Sequence, residues 1–202
     1  MVFRESFFDL KLFAEHGNIC YSIVGYFLRG EKYMNNIILI GMPGCGKSTV
    51  GVVLAKTMGY RFIDSDLVIQ EQEGRLLSEI IETEGLDGFL NVENRINASL
   101  EVKRTVIATG GSVIYGKEAM THLRDIGIVV YIRLPYEKIK RRLGDLTKRG
   151  VAIKSGQTLY DLYNERAPLY EKYADIIIDV NKMNISETAL YIKEQAQKRL
   201  CE

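Results

Sequence analysis

The chain has 202 residues, of which 47% are hydrophobic and 26% are charged, a length and composition that suit one globular domain with a full core. Its formal net charge of +1 gives no overall electrostatic reason to expect nucleic acid or an anionic membrane as a partner. The three cysteines form no CxxC pair, and neither histidine has a metal-binding or nucleophilic partner nearby in sequence. We therefore expect a cytoplasmic protein without a disulfide framework, a zinc site or a catalytic triad.

The first 33 residues differ from the rest of the chain because they are rich in Phe and Tyr and contain no strand–helix unit. Glu5 and Asp9 argue against a signal peptide, and the apolar stretch 18–28 is too short to span a bilayer. Two interpretations remain open for this segment. It is either a non-native or upstream-start extension, or an accessory amphipathic helix that packs on the domain or on a partner.

From residue 34 to residue 202, short apolar runs alternate with segments of helical periodicity. The predicted strands are Ile37–Ile40, Arg61–Asp64, Thr105–Ala108, Ile128–Leu134 and Ile176–Val180. The predicted helices are Lys47–Met58, Asp66–Glu73, Leu76–Glu84, Asp87–Leu100, Gly116–Asp125, Tyr136–Leu143, Thr158–Tyr173 and Ser186–Leu200. This alternation predicts one α/β domain, with a five-stranded parallel sheet between two layers of helices.

A phosphate-binding loop lies between the first predicted strand and the first predicted helix. Residues 41 to 49 read GMPGCGKST, which matches the pattern G-x-x-x-x-G-K-[ST] in the required strand–loop–helix context. Glycines let several backbone N–H groups converge on one phosphate, and the helix N-terminus adds partial positive charge. Lys47 can reach the β- and γ-phosphates, and the Ser48 hydroxyl can ligate Mg²⁺. The predicted contacts of a nucleoside triphosphate, which we take to be ATP, are Gly44, Cys45, Gly46, Lys47, Ser48 and Thr49.

Two acidic positions compete for the role of assisting Mg²⁺. Asp64 and Asp66 follow the second predicted strand, whereas Asp179 lies inside the fifth and has the appearance of a Walker-B acid. We favour the pair, because the carboxyl ends of parallel strands meet the ligand crevice and the pair stands at such an end in the first βαβ unit. Asp66 could also cap the helix that follows.

Three further features fit a phosphoryl-transfer site. Gly110 and Gly111 directly follow the third predicted strand, where paired glycines permit close approach of a ligand to the backbone. The segment 144–157 carries three glycines together with Lys148 and Arg149, so we expect a mobile lid that closes over phosphates and stabilises the transferring charge. Arg166 precedes a proline in a predicted helix and could bind a carboxylate through two hydrogen bonds.

Taken together, these motifs resemble those of the shikimate kinases, which are P-loop enzymes similar to nucleoside-monophosphate kinases. The resemblance covers about residues 35–182 and rests on co-linear matches at GMPGCGKST, Asp64-Ser65-Asp66, Phe89 with Glu93, Ala108-Thr109-Gly110-Gly111, Arg142, Arg149 and Glu165-Arg166-Ala167-Pro168-Leu169-Tyr170. The last of these is the most specific, since a generic P-loop protein has no reason to carry it.

The resemblance implies a role for each matched residue. Ser48 would ligate Mg²⁺, and Asp64 would hold a water bound to the metal. Asp66 would contact the substrate hydroxyls and could orient or deprotonate the attacking one. The implied catalytic residues are therefore Lys47, Asp66 and Arg149.

The remaining implied contacts divide between nucleotide and substrate. Arg142 would stack on adenine, and Arg149 would be the lid arginine on the phosphates. Arg166 would bind the substrate carboxylate, with Gly110 and Gly111 also beside the substrate.

Two positions depart from the family pattern. Shikimate kinases normally have Phe-Arg-x-x-Glu where this chain has Leu90 after Phe89, so an arginine that should help Arg166 is absent. Losing one charge-assisted contact should cost about 1.5–3 kcal/mol. Ser112 replaces the third glycine of a Gly-Gly-Gly run. We expect either a compensating neighbour, with Arg95 as the candidate, or a different substrate.

The leading functional hypothesis is therefore ATP-dependent phosphorylation of a hydroxyl on a small carboxylated metabolite, most simply shikimate. A kinase acting on another hydroxylated metabolite, such as a hydroxy amino acid or a sugar acid, is the alternative. A nucleotide-binding homologue without transfer activity and a nucleotide monophosphate kinase fit the residues less well. We expect a monomer whose partner is a small molecule, with no nucleic acid and no membrane.

Overall fold

The computed structural model describes residues 35–143, 153 and 156–201. The predictions for residues 1–33 and for most of the lid, including Lys148 and Arg149, concern segments outside the described residues. None of the helices in the described ranges is long and apolar enough to cross a membrane.

Strands and helices alternate along the described chain. The five strands are β1 (Asn36–Ile40), β2 (Arg61–Asp64), β3 (Thr105–Ala108), β4 (Gly127–Arg133) and β5 (Ile176–Asp179). The helices are α1 (Lys47–Met58), α2 (Ser65–Glu73), α3 (Leu77–Ala98), α4 (Lys117–Ile126), α5 (Tyr136–Leu143), α6 (Leu159–Tyr173) and α7 (Ile185–Cys201), with a short 3₁₀ helix at Val113–Tyr115.

All five strands are parallel and lie in the order β2-β3-β1-β4-β5. The central strand β1 is buried along its whole length, with Ile38 opposite Ile107 of β3 and Val129 of β4. α1 packs against α7 and α3 packs against α4, so helices cover the sheet on both faces. The predicted five-stranded parallel sheet and the α/β fold class are confirmed.

A buried asparagine fixes the start of β1 between its neighbours. The Asn36 side-chain amide donates to the carbonyls of Val102 and Ile126, each at 2.9 Å, and its oxygen accepts from the Thr105 N–H at 3.0 Å. Asn36 is 1% exposed, and these three bonds satisfy groups that would otherwise be costly to bury. The side chain thereby ties β1 to the segments that lead into β3 and β4.

The two helices predicted between residues 76 and 100 form one element with a break in it. α3 runs from Leu77 to Ala98, but Gly85 has non-helical angles of φ 72° and ψ −178°. A positive φ of this kind suits glycine, which has no Cβ to clash with the backbone. The break at Gly85 therefore divides α3 into two helical parts.

A second, smaller apolar cluster joins α2 to α3 outside the main core. Its buried members are Ile69, Ile80, Phe89, Val92 and Ile96. Leu90 packs against this cluster as a partly buried residue. The cluster therefore fixes the second half of α3, which carries Phe89 and Glu93, against α2.

Replacing Leu54 by Ala should lower the free energy of unfolding by about 2–5 kcal/mol, because this fully buried α1 side chain fills the main core. Leu190→Ala on α7 is the matched control, since that leucine is 56% exposed and should change stability by less than about 0.5 kcal/mol. Urea denaturation of both variants measures the difference. Equal losses would contradict the assigned packing of α1.

Candidate active site

The loop between β1 and α1 wraps into an anion-binding shape. Gly46 has φ 107° and ψ 17° and caps α1, while Gly41 has φ 145°. A Cβ on Gly41 would lie 2.8 Å from the backbone oxygen of Ile132, so the loop also needs glycine there for space. The free N–H groups at the start of α1 then face the cleft with the positive end of the helix dipole.

The amino group of Lys47 lies over this loop. Its Nζ donates to the carbonyls of Gly41 at 2.8 Å and Met42 at 3.1 Å, and the side chain is only 8% exposed. Backbone carbonyls neutralise little of the charge of a buried ammonium group. A phosphate bound in the loop would therefore find a cation already in place beside it.

An acidic pair follows β2 and faces the first turn of α1. The Ser48 hydroxyl donates to Asp64 Oδ2 at 2.6 Å, while Asp64 Oδ1 accepts from the Asp66 N–H at 3.1 Å. Asp64 therefore caps α2, and the expectation that Asp66 could be the cap is wrong because Asp66 lies in the first turn. Asp179, the rejected alternative, lies on the edge strand β5 and pairs with Arg133 at 2.6 Å. The structure thus places Asp64 against Ser48 and Asp179 elsewhere.

Asp66 and Glu93 aim carboxylate oxygens into the same small space. Asp66 Oδ1 and Glu93 Oε1 are both buried and have no hydrogen-bond partner within the described ranges. A Cβ placed on Gly110 would lie 2.2 Å from the Glu93 oxygen and 2.8 Å from the Asp66 oxygen. A side chain at position 110 would therefore displace one of these carboxylates, and the two unpaired oxygens indicate a place for a ligand that donates hydrogen bonds.

Burial perturbs both acids. Desolvation raises the pKa of Asp66 to about 6, the nearby Asp64 charge adds to this, and Lys47 partly offsets it. Desolvation likewise raises the pKa of Glu93 to about 7, opposed by a hydrogen bond from Ser112, while the Asp66 charge raises it further and the Arg166 charge lowers it. Perturbed acids in a cleft are characteristic of functional sites.

Arg166 provides the cation of this half of the cleft. It is 1% exposed, and its Nε donates to the Tyr115 hydroxyl at 3.3 Å. A Cβ on Gly111 would lie 3.1 Å from Arg166 NH1, so the guanidinium runs alongside the glycine pair. At the other end of the cleft, Arg142 NH1 donates to the carbonyls of Gly44 and Cys45, each at 3.2 Å.

One cleft of about 600 Å³ joins these groups. The predicted residues that line it are Gly44, Cys45, Gly46, Lys47, Ser48, Thr49, Asp66, Gly110, Gly111, Arg142 and Arg166. Asp64 lies behind Ser48 in contact with its hydroxyl, and Arg149 falls outside the described residues. The motifs, which are far apart in sequence, therefore lie together in a single site at the carboxyl edge of the sheet.

The sequence assigned no role to several residues at this site. Phe89 and Glu93, which match the family pattern, and Ser112, which departs from it, all line the cleft. The segment after β5 also lines it, through Val180 and the stretch from Met183 to Ile185, and the sequence did not single out that segment. The position of that segment at a strand end was the available signal. Tyr115 was also missed, and only its place five residues after Gly110 pointed towards the cleft.

The structure does not support Arg95, the candidate neighbour, as a replacement for the charge that Leu90 lacks. Arg95 NH2 pairs with Glu73 Oε1 at 2.6 Å, and the arginine side chain is 60% exposed. It therefore lies on the solvent face of α3, because residues 93 and 95 are separated by about 200° around a helix. Leu90 offers no charge and packs against the second apolar cluster instead.

The raised pKa of Glu93 predicts how stability depends on pH. Because the folded-state pKa lies above the ordinary value of 4.5, Glu93 favours folding at low pH, and this contribution is lost as pH rises towards about 7. The glutamine of Glu93→Gln cannot titrate. The free energy of unfolding of this variant, measured relative to that of the unmodified protein, should therefore rise by about 2–3 kcal/mol between pH 4.5 and pH 8.

Urea denaturation of both proteins at both pH values tests this. Glu101→Gln at an exposed position is the control, and a pH-independent offset for Glu93→Gln would contradict the prediction.

Comparison with known proteins identifies the group to which this site belongs. The family model for shikimate kinase matches residues 43–197. A shikimate kinase of Haemophilus influenzae (strain PittEE) is 40% identical over 153 residues, which cover 74% of this chain and 85% of that protein. A shikimate kinase of Clostridium botulinum (strain Eklund 17B) is 37% identical over 161 residues, covering 79% and 96%.

Solved structures agree with the sequence matches. The shikimate kinase of Acinetobacter baumannii, solved in complex with shikimate, is similar with a TM-score of 0.75 at 33% identity, covering 83% of this chain and 96% of that one. The enzyme of Aquifex aeolicus has a TM-score of 0.71 at 30% identity, covering 81% and 97%. The chain therefore belongs to the shikimate kinase family, and it is a P-loop phosphotransferase that acts on a hydroxyl group.

Proposed function

We propose that this protein transfers the γ-phosphoryl group of ATP to a hydroxyl of shikimate, giving shikimate 3-phosphate and ADP. The observation that carries the proposal is the convergence of two sets of groups in one cleft. Lys47 and Ser48 stand at one end and Asp66 and Arg166 at the other, in a chain of the shikimate kinase family. Phosphoryl transfer depends mainly on positioning and charge stabilisation, which this arrangement supplies.

The nucleotide would bind at the phosphate loop. Backbone N–H groups from Gly44 to Thr49 would bind its phosphates, and Lys47 would exchange its carbonyl contacts for phosphate oxygens. Arg142 already lies over the loop, so a stack of its guanidinium on the adenine requires only a local movement. The proposed contact of Arg149 with the phosphates remains a prediction from the sequence.

The residues present also fit Mg²⁺. The Ser48 hydroxyl and the Asp64 carboxylate lie 2.6 Å apart, and both are hard oxygen ligands. Mg²⁺ usually takes its other ligands from substrate phosphates and water, so two protein oxygens are sufficient. Bound Mg²⁺ would neutralise charge on the phosphates, with Ser48 and Asp64 holding it.

The acceptor would bind between Asp66 and Arg166. Asp66 would accept a hydrogen bond from the attacking hydroxyl and take its proton as the new O–P bond forms and the bond to the ADP oxygen breaks. With a pKa of about 6, Asp66 is ionised at neutral pH and is close to the optimum for a general base. Arg166 would hold the acceptor carboxylate, with Gly110 and Gly111 giving the ring room against the backbone.

A second candidate acceptor is a different hydroxylated carboxylic acid. The observation that favours it is the position of Leu90, which is packed in an apolar cluster where the family pattern has arginine. Because Arg95 is paired with Glu73 on the solvent side, it does not replace the missing charge. The nucleotide half of the site is the same for both candidates, so only the acceptor distinguishes them.

The direct test is turnover of MgATP with shikimate and with a panel of hydroxy acids, hydroxy amino acids and sugar acids. ADP release would be followed together with the phosphorylated product by ³¹P NMR. Shikimate 3-phosphate formed at roughly 1–100 s⁻¹ supports the proposal. Product from another acceptor alone would favour the second candidate. ATP binding with no product from any acceptor would indicate a nucleotide-binding homologue. Lys47→Ala is the negative control.

Leu90→Arg should lower the KM for shikimate by roughly tenfold or more, because it restores the arginine of the family pattern, which would give the acceptor carboxylate a second charge-assisted contact. Residues 90 and 93 are one helical turn apart, so the new guanidinium would also reach Glu93. Steady-state kinetics compare this variant with Leu90→Met, which keeps an apolar side chain of similar volume. The KM for ATP should not change. An unchanged KM for shikimate in Leu90→Arg would contradict the view that the acceptor site is merely weakened.

The expectations of a monomer, of a cytoplasmic location and of no nucleic-acid partner stay predictions from the sequence. Size-exclusion chromatography with light scattering tests the first of these directly.

A further inference from the structure

Arg166 has a close neighbour that the proposed mechanism does not use. Its Nε donates to the Tyr115 hydroxyl at 3.3 Å, and its central carbon lies 5.3 Å from the centre of the Tyr115 ring. Tyr115 therefore contacts the guanidinium both as a hydrogen-bond acceptor and through the face of its ring. Because Arg166 is 1% exposed, water contributes little to its orientation.

The Tyr115 hydroxyl is itself fixed in direction. It donates its one proton to Glu165 Oε1 at 2.7 Å, and Glu165 Oε2 accepts from the Gln157 side chain at 2.6 Å. With that proton committed to a carboxylate, the lone pairs of the hydroxyl are directed at the Nε–H of Arg166. Burial and the bond to Glu165 raise the pKa of Tyr115, so the hydroxyl keeps its proton at neutral pH.

The backbone that carries Tyr115 is also rigid. Tyr115 is the last residue of the 3₁₀ helix Val113–Tyr115, and its backbone N–H donates to the Ser112 carbonyl at 2.9 Å. Val113 and Ile114 are buried and anchor this turn in the core. The same segment begins with Gly110 and Gly111, which form the wall of the cleft. The wall and the hydroxyl that contacts Arg166 thus belong to one short, well-anchored stretch.

We infer that Tyr115 is a positioning residue for the acceptor, because it holds the Nε side of the Arg166 guanidinium and so helps to set the direction from which Arg166 meets the acceptor carboxylate. This inference rests on the proposed function, in which Arg166 binds the carboxylate of the acceptor. Fixing the guanidinium carries particular weight in this chain, since Leu90 contributes no second charge.

The kinetic test compares Tyr115→Phe with the unmodified protein. Phe keeps the ring and removes only the hydroxyl, so the acceptor KM should rise about three- to tenfold while kcat and the KM for ATP stay within about twofold. Tyr163→Phe is the matched control, because the Tyr163 hydroxyl donates to the Leu134 carbonyl and Tyr163 does not line the cleft. A joint fall of kcat and rise of both KM values would indicate a structural role and overturn the inference, as would unchanged kinetics.

A second readout does not depend on the identity of the acceptor. In ¹⁵N-labelled protein, the Nε–H signal of Arg166, assigned with Arg166→Lys, should be protected from solvent exchange. Tyr115→Phe should shift this signal and speed its exchange about tenfold, whereas Tyr163→Phe should leave it unchanged. An identical signal in Tyr115→Phe would overturn the inference whatever the acceptor is. Turnover of shikimate by the unmodified protein separately decides the proposed function.

Discussion

The site depends on one constraint, which is that all five strands run in the same direction. A parallel sheet requires a crossover after each strand, so the carboxyl ends of β1, β2 and β3 meet at a single edge. Those ends carry the phosphate loop, the acidic pair Asp64 and Asp66, and the glycine pair Gly110 and Gly111. Elements that are up to 70 residues apart in sequence, as Leu39 and Thr109 are, become neighbours there through a 3.0 Å hydrogen bond.

Burial then determines the electrostatics of the edge. Lys47, Glu93 and Arg166 are all buried, so their charges interact through protein rather than through water. Glu93 and Asp66 hold raised pKa values because the same burial penalises their ionised forms. Ligands that bring hydrogen-bond donors to the two acids, a carboxylate to Arg166 and phosphates to Lys47 would relieve the cost of this arrangement.

Much of the fold follows from local pattern. Each predicted strand overlaps a strand of the structure. For β1 and β4 the signal is a continuous apolar run, which indicates a strand buried on both faces, and both strands are buried along nearly their whole length. The break in α3 at Gly85 also agrees with the two helices predicted around it. Motif spacing and strand-end position were enough to favour Asp64 over Asp179. Both signals can be read from the order of residues and predicted strands along the chain.

The positions that sequence reasoning missed depend on side-chain direction and on contacts between distant elements. Arg95 is only five residues from Leu90 in sequence, but the turn of α3 directs its side chain to Glu73 on the solvent side. Tyr115 has no motif of its own, and its importance comes from Glu165 and Arg166, which are about 50 residues further along the chain. Such pairings are set by the packing of α6 against the 3₁₀ helix, which no local pattern reports.

The central claim is that Arg166 holds the acceptor by its carboxylate while Asp66 takes the hydroxyl. The most direct measurement is kcat/KM for shikimate and for its methyl ester, in the unmodified protein and in Arg166→Lys. The account predicts that the unmodified protein prefers shikimate by roughly tenfold or more, since the ester lacks the charge that Arg166 binds, and that the preference falls several-fold in Arg166→Lys. An equal preference in both proteins would contradict the claim and place the carboxylate elsewhere in the cleft.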